Sequence, residues 1–175
     1  MAEFTSKVCI VGDFAVGKTS VSERFVSNHY SDKYLTTVGV KIDTKLVDVA
    51  DFDVSQKLVI WDVAGADKFG ATEFAYLRGA AGYLYVADGT RPPTIDATLA
   101  LRKQVDGLHG SKPCVLLINK HDLSEQWDVR PAQVGALRER FDDVFLTSAK
   151  TGADVESAFA SLAKLMTARQ LEDLA

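Results

Sequence analysis

Between the apolar run Val8-Cys9-Ile10-Val11 and the amphipathic segment Ser20-Val21-Ser22-Glu23-Arg24-Phe25-Val26 lies the stretch Gly12-Asp13-Phe14-Ala15-Val16-Gly17-Lys18-Thr19. It fits the pattern G-x-x-x-x-G-K-S/T, which works only as a loop that leaves a strand and opens a helix, and runs of both kinds flank it here. The glycines let the backbone turn tightly enough to aim successive N–H groups at an anion. Lys18 brings a charge to the outer phosphates, and the helix starting near Gly17 presents its positive end to them. Thr19 is placed to set its hydroxyl on a Mg²⁺ ion. A chance glycine-rich turn before a helix is the plain alternative, and the matching strand and helix on either side weaken it.

The phosphate pattern alone leaves the base open. A second apolar run, Cys114-Val115-Leu116-Leu117-Ile118, leads into Asn119-Lys120-His121-Asp122. A carboxylate at Asp122 accepts from both N1–H and the 2-amino group of guanine, a donor pair that adenine lacks, and the Asn119 amide can serve N7. A partly buried Asp122 left unpaired against adenine is costly, so such a site discriminates. Taken alone, this tetrapeptide reads as an ordinary strand-end turn with a solvated Asp.

Strand-like and helix-like segments alternate along the chain with little linker. Strands are expected at residues 5–11, 39–49, 56–62, 83–88, 113–119 and 144–147, and helices at 17–27, 69–78, 94–108, 131–141 and 155–170. The alternation argues for an α/β fold, a mostly parallel sheet with helices on both faces. The runs 39–49 and 56–62, joined by the polar turn 50–55, look like a hairpin. No repeat, low-complexity tract or linker divides the chain, and 175 residues with 47% hydrophobic and 25% charged composition suit one domain with a full core.

Five elements in this order make the chain resemble a small GTPase of the Ras superfamily, closest to the Rab branch, from about Lys7 to about Arg169. They are the P-loop at 12–19, Thr37 in Thr37-Val38-Gly39-Val40, Asp62-Val63-Ala64-Gly65, Asn119-Lys120-His121-Asp122, and Ser148-Ala149-Lys150. Rab-like wording recurs in Lys57-Leu58-Val59-Ile60-Trp61-Asp62, Tyr76-Leu77-Arg78-Gly79-Ala80 and Leu84-Tyr85-Val86-Ala87-Asp88. The resemblance implies a P-loop NTPase G domain whose hairpin forms the antiparallel edge of a six-stranded sheet. Ligand loops would then leave the carboxyl ends of the strands, where open α/β sheets bind ligands.

The resemblance also implies a binding set for GTP or GDP with Mg²⁺. Asp13, Phe14, Ala15, Val16, Gly17, Lys18, Thr19 and Ser20 would surround the phosphates. Thr37 would close over them, its hydroxyl on Mg²⁺ and its N–H on the γ-phosphate; Thr36 competes for the hydroxyl role, and Val38-Gly39 favours Thr37 by alignment. Gly65 would offer its N–H to the same phosphate, and Asp62 would support the ion indirectly. Around the base, Tyr30 and Tyr34 would flank the nucleotide and Lys120 would lay its stem across the ring. Ala149 would donate its N–H to O6, with Ser148 and Lys150 shaping the loop. Tyr30 also reads as a plain loop aromatic. Residues 28–38 and 63–75 match the two switch segments, ordered by the γ-phosphate and released without it. In the Rab branch an apolar trio flanking the switches meets effectors, and here it falls on Ile42, Trp61 and Tyr76. Packing against the sheet face is the alternative, weighed equally for Ile42.

Two departures bear on catalysis. Ala66 stands where most relatives carry the Gln that orients the attacking water, and no methyl group can do that. Phe14 fills a position normally held by a small residue beside the γ-phosphate, in the path of an inserted arginine. Lys18, Thr37 and Gly65 remain as catalytic candidates, so binding is better supported than hydrolysis. A P-loop kinase is disfavoured because it leaves Asp122 and Ala149 unexplained.

The net charge of −4 gives no basic footprint for nucleic acid. No apolar stretch approaches the roughly 20 residues that span a bilayer, and no signal-type N-terminus is present, so a cytoplasmic protein is expected. Cys9 and Cys114 sit in apolar strands and read as small buried hydrophobes. The last residues, Gln170-Leu171-Glu172-Asp173-Leu174-Ala175, carry no terminal Cys for prenylation. Either a lipidated tail is missing from this sequence or the protein does not anchor by lipid. Expected partners are guanine nucleotide and effector and regulator proteins.

Overall fold

The central strands bury both of their faces, which is why they read as unbroken apolar runs rather than as alternating ones. The computed structural model describes residues 1–31, 37, 39–65 and 70–175. Six strands form one sheet: β1 (Ala2–Gly12), β2 (Val40–Val49), β3 (Val54–Val63), β4 (Gly82–Asp88), β5 (Cys114–Asn119) and β6 (Asp143–Leu146). Their order is β2-β3-β1-β4-β5-β6. Only β2 runs antiparallel, paired to β3 at the edge, as the hairpin reading expects.

The helices α1 (Lys18–Ser27), α2 (Ala71–Tyr76), α3 (Pro93–His109), α4 (Pro131–Arg138) and α5 (Val155–Leu174) cover both faces. Val8 and Ile10 of β1, Leu84 and Val86 of β4 and Val115 and Leu117 of β5 pack with Val21 and Phe25 of α1 and Phe159 and Leu162 of α5. Their neighbours Cys9, Val11, Tyr83, Tyr85, Leu116 and Ile118 pack on the other side with Leu77, Ile95, Val105 and Leu137. The two-residue period of the strand sorts one apolar run into two cores. Cys9 and Cys114 are free and buried, and burial pushes their thiols up to about 12 and about 11.

The elements match the expected ones with shifted ends, and three shifts have physical causes. β1 begins at Ala2 because its first residues pair with β3 from Val54 onward. α4 ends at Arg138, short of 141, because Phe141 turns into the core against Tyr85, ring centroids 5.8 Å apart. α5 runs on to Leu174, its later turns held by a polar ring: Ser6 donates to Gln56 at 2.7 Å, Gln56 to Thr167 at 2.9 Å and Gln170 at 2.8 Å, and Gln170 back to Ser6 at 2.9 Å. Every member of that buried network has a partner, which lets polar groups stabilise rather than destabilise the core. Phe69, where the second helix was expected to start, lies outside the described residues.

Because β1, β3, β4, β5 and β6 are parallel, their carboxyl ends emerge along one edge. Gly12, Asp62, Asp88, Asn119 and Leu146 therefore end or nearly end their strands side by side. Chain order reverses beside β1, the place where open α/β sheets bind ligands. Among the described residues no helix is long and apolar enough to cross a membrane.

Candidate functional site

The phosphate pattern folds as the loop between β1 and α1, and its shape depends on two left-handed residues, Ala15 (φ 64) and Gly17 (φ 102). Gly17 sits at the cap of α1, and a side chain there would meet the Asn119 amide. Ala15 pays the modest strain of an L-residue in that region. Val16 is fully buried and anchors the loop to the core, and Ser20 lies on the cleft wall. Asp13 turns back on its own loop, its carboxylate accepting the Phe14 N–H at 2.8 Å. The Phe14 side chain is 42% exposed at the loop tip.

Lys18 is 6% exposed and donates to the Asp13 carbonyl at 2.9 Å. Burial pulls its ammonium down to about 8, against the pull of Asp62 and Asp13, which favour the charged form. Gly65 lies against it: a Cβ there would sit 2.5 Å from Lys18 Nζ and 2.8 Å from the Asp13 carbonyl. No residue but glycine fits that approach.

Thr19 donates to Asp62 Oδ2 at 2.6 Å and Thr37 to the same oxygen at 3.0 Å, with the two hydroxyls in contact. Asp62 Oδ1 is buried with no partner among the described residues. Burial raises the Asp62 carboxyl above its ordinary range, opposed by Thr19, Lys18, Thr37 and Lys41. Two hydroxyls converging on a carboxylate with one unspent oxygen make a hard-oxygen donor set, which fits Mg²⁺.

At the base end, Asn119 is buried and ties three segments together. Its amide donates to the Val16 carbonyl at 3.1 Å, and its oxygen accepts from Thr147 and from the Ala149 N–H, each at 3.2 Å. The N–H expected to read O6 thus leans on Asn119. Ser148 donates to Asp122 Oδ1 at 2.7 Å while accepting the Thr151 N–H at 3.1 Å. Asp122 itself is exposed, not partly buried as the base-choice argument supposes, so only a bound base would cover it. Gly17, Ser20, Tyr30, Asn119, Lys120, Asp122, Ala149 and Lys150 line one cleft, which brings Tyr30 into the site.

Asp88, Arg91, Arg24 and Trp127, none of them given a site role in the sequence reading, shape this edge. Asp88, buried at the end of β4, pairs with Lys120 at 2.9 Å and Arg91 at 3.0 Å. Burial alone would raise its carboxyl, but bonds from Thr90, Lys120 and Arg91 outweigh that and hold it below the usual range. Arg24 of α1 donates to the Ala149 carbonyl at 2.8 Å and to the Lys150 carbonyl, tying that loop to α1. Trp127 stands on Gly89, where a Cβ would enter its ring, and packs 4.6 Å from His121. Asp88 had a signal, a carboxylate closing a wholly apolar strand in register with Asn119.

A model of the Ras family matches residues 7–168. The chain belongs to the Ras family. It is 35% identical to the Ras-related protein Rab-1 of Theileria parva over 94% of its own length and 75% of that protein's. It is 32% identical to Rab-32C of Dictyostelium discoideum (91% and 72%) and 34% identical to human Rab-32 (89% and 72%). The chain is thus a Rab-like small GTPase, and its architecture is that of a Ras-like P-loop domain.

Of the trio expected to meet effectors, Ile42 and Trp61 lie on the hairpin and Tyr76 ends α2, with Trp61 and Tyr76 partly buried against the core. Ile42 is 49% exposed, so about half of its side chain faces away from the sheet. Trp61 pairs across the hairpin with Ile42, lies 6.3 Å from Tyr76, and is capped by Lys7, whose ammonium stands 3.7 Å above the ring. Tyr34, Thr36 and Ala66 lie outside the described residues.

Proposed function

We propose that this chain is a Rab-like switch that binds GTP or GDP with Mg²⁺ and hydrolyses GTP slowly. The observation that carries the reading is the single cleft in which Gly17 and Ser20 of the phosphate loop stand with Asn119, Lys120, Asp122 and Ala149 of the two base motifs. Asp122, oriented by Ser148, would accept from guanine, and a base lacking that donor pair would leave the carboxylate unpaired. Lys18, with the N–H groups of the loop, would hold the outer phosphates.

Thr19 and Thr37 would hold the Mg²⁺, with Asp62 behind them accepting from the hydroxyls. When bound, the ion would offset the charge of the phosphates. Thr37 and Gly65 would lose their γ-phosphate contacts when GTP becomes GDP, freeing the adjoining segments to change partners at Ile42, Trp61 and Tyr76.

A second reading, a protein-interaction module held in the GTP state with negligible hydrolysis, is favoured by Ala66 and by the exposed Phe14 at the loop tip. One experiment separates the readings. Single-turnover phosphate release at saturating Mg²⁺ should fall below the scale of about 10⁻⁴ s⁻¹ of the Ras type case, and Ala66→Gln should restore part of the rate. Phe14→Gly added to it should open the chain to an arginine-supplying activator. Wild-type turnover within minutes would mean that another group orients the water, and slow hydrolysis would be wrong. No release even from Ala66→Gln would favour the module.

A further inference from the structure

The loop after β4 carries an arginine that the nucleotide reading leaves unused. Arg91 donates from Nε to Asp88 Oδ2 at 3.0 Å and from Nη2 to the Phe14 carbonyl at 2.9 Å. The same Asp88 oxygen takes Lys120 Nζ at 2.9 Å, and Lys120 donates to the Ala15 carbonyl at 3.0 Å. The Asp88 side chain is 1% exposed, and its second oxygen is fixed by the Thr90 N–H at 2.8 Å and hydroxyl at 2.7 Å. One buried carboxylate therefore carries two cations, and each grips the carbonyl of one of two successive phosphate-loop residues.

The consequence follows from the planar peptide, in which a carbonyl and the N–H of the next residue point in opposite directions. Pinning the Phe14 and Ala15 carbonyls on one side aims the Ala15 and Val16 N–H groups to the other. Lys120 belongs to the base motif, so its arm couples base and phosphate. Arg91 belongs to no motif, and its planar fork reaches Asp88 and Phe14 at once, which an ammonium on a flexible stem does not match.

We propose that Arg91 is a positioning residue for the outer phosphates, fixing the Phe14 peptide so that the Ala15 N–H meets them. The assignment rests on the nucleotide reading above. Gly17 and Ser20 line the base cleft, whereas Phe14 and Ala15 lie earlier in the loop and outside that lining. Their alignment should matter to a β-phosphate more than to the nucleoside monophosphate.

The test compares GDP and GMP affinities of the full chain and of Arg91→Met, which keeps the stem and leaves Asp88 paired with Lys120 and Thr90. GDP should bind about tenfold more weakly, the order of one charge-assisted hydrogen bond, and GMP within about twofold of wild type. Arg91→Lys, which keeps a charge beside Asp88, should hold wild-type thermal stability yet repeat the GDP-selective loss, and it serves if the Met variant does not fold. Equal losses for GDP and GMP, or none for either, would mean that Arg91 only braces its loop, and the assignment would be overturned while the nucleotide reading stood. A wild-type chain that binds neither would overturn both.

Discussion

The two ends of the nucleotide cleft are built in opposite ways. At the base end the groups that shape the cleft already have partners within the protein: Asn119 on Val16, Thr147 and Ala149, Ser148 on Asp122, and Arg24 on the carbonyls of Ala149 and Lys150. At the phosphate end the protein alone is electrostatically incomplete. Lys18 is buried and held down to about 8, and Asp62 Oδ1 is buried with no partner among the described residues. A preorganised base end selects, because its donors and acceptors cannot rearrange to suit a wrong base. An unfinished phosphate end responds, because charge arriving there changes what the neighbouring groups prefer.

The largest effect expected from this contrast belongs to Lys18. Its value in the folded chain is lowered from 10.5 to about 8 by burial, so between those values the unfolded chain holds more protons than the folded one. Its contribution therefore makes the ligand-free protein more stable as pH rises from about 8 to about 10.5, which denaturant titrations across that range would register. Binding has the opposite sign. Anionic phosphate favours the ammonium, so GDP affinity should fall by up to about tenfold per pH unit above about 8, with proton uptake visible by calorimetry in buffers of different ionisation heat. Lys18→Met should weaken GDP about a hundredfold or more and flatten that slope. A wild-type slope unchanged in the Met variant would show that the pH response arises elsewhere.

A smaller effect tests whether the Thr19, Thr37 and Asp62 cluster is a cation site. Thr19→Asn should weaken a non-hydrolysable GTP analogue by about tenfold in Mg²⁺, and GDP by less, since the γ-phosphate would share the ion only in the GTP state. In chelator the difference between wild type and variant should vanish. A loss that persists undiminished without Mg²⁺ would assign Thr19 to loop shape instead.

The smallest effect should come from the completed end. Ser148→Ala frees Asp122 to rotate and should cost roughly three- to tenfold in GDP affinity, about 1 kcal/mol, with no change in Mg²⁺ dependence. If it alters the Mg²⁺ response, the two ends are not separable in the way the hydrogen bonds suggest.

Most of the fold was legible because its information is local: apolar runs mark the buried strands, and the phosphate pattern fixes one strand, loop and helix in order. The motif residues were legible for the same reason, since Gly12 through Thr19 and Asn119 through Asp122 are contiguous. What escaped was held by long-range backbone contacts. Arg24 meets carbonyls at 149 and 150, and Arg91 meets the carbonyl at 14, and a carbonyl is the same whichever residue bears it. Nothing in the sequence near Arg24 or Arg91 marks those partners. The exposure of Asp122 was misjudged for a related reason, because its cover is the ligand itself.

The central claim, that this is a guanine-nucleotide site, is tested most directly by titrating GDP, ADP and xanthosine diphosphate into the wild-type chain and Asp122→Asn in Mg²⁺. The wild type should prefer GDP over ADP by at least about a hundredfold, and Asp122→Asn should lose GDP affinity while gaining xanthosine diphosphate, whose 2-oxo group needs a donor where guanine needs an acceptor. Equal wild-type affinity for GDP and ADP would contradict the account.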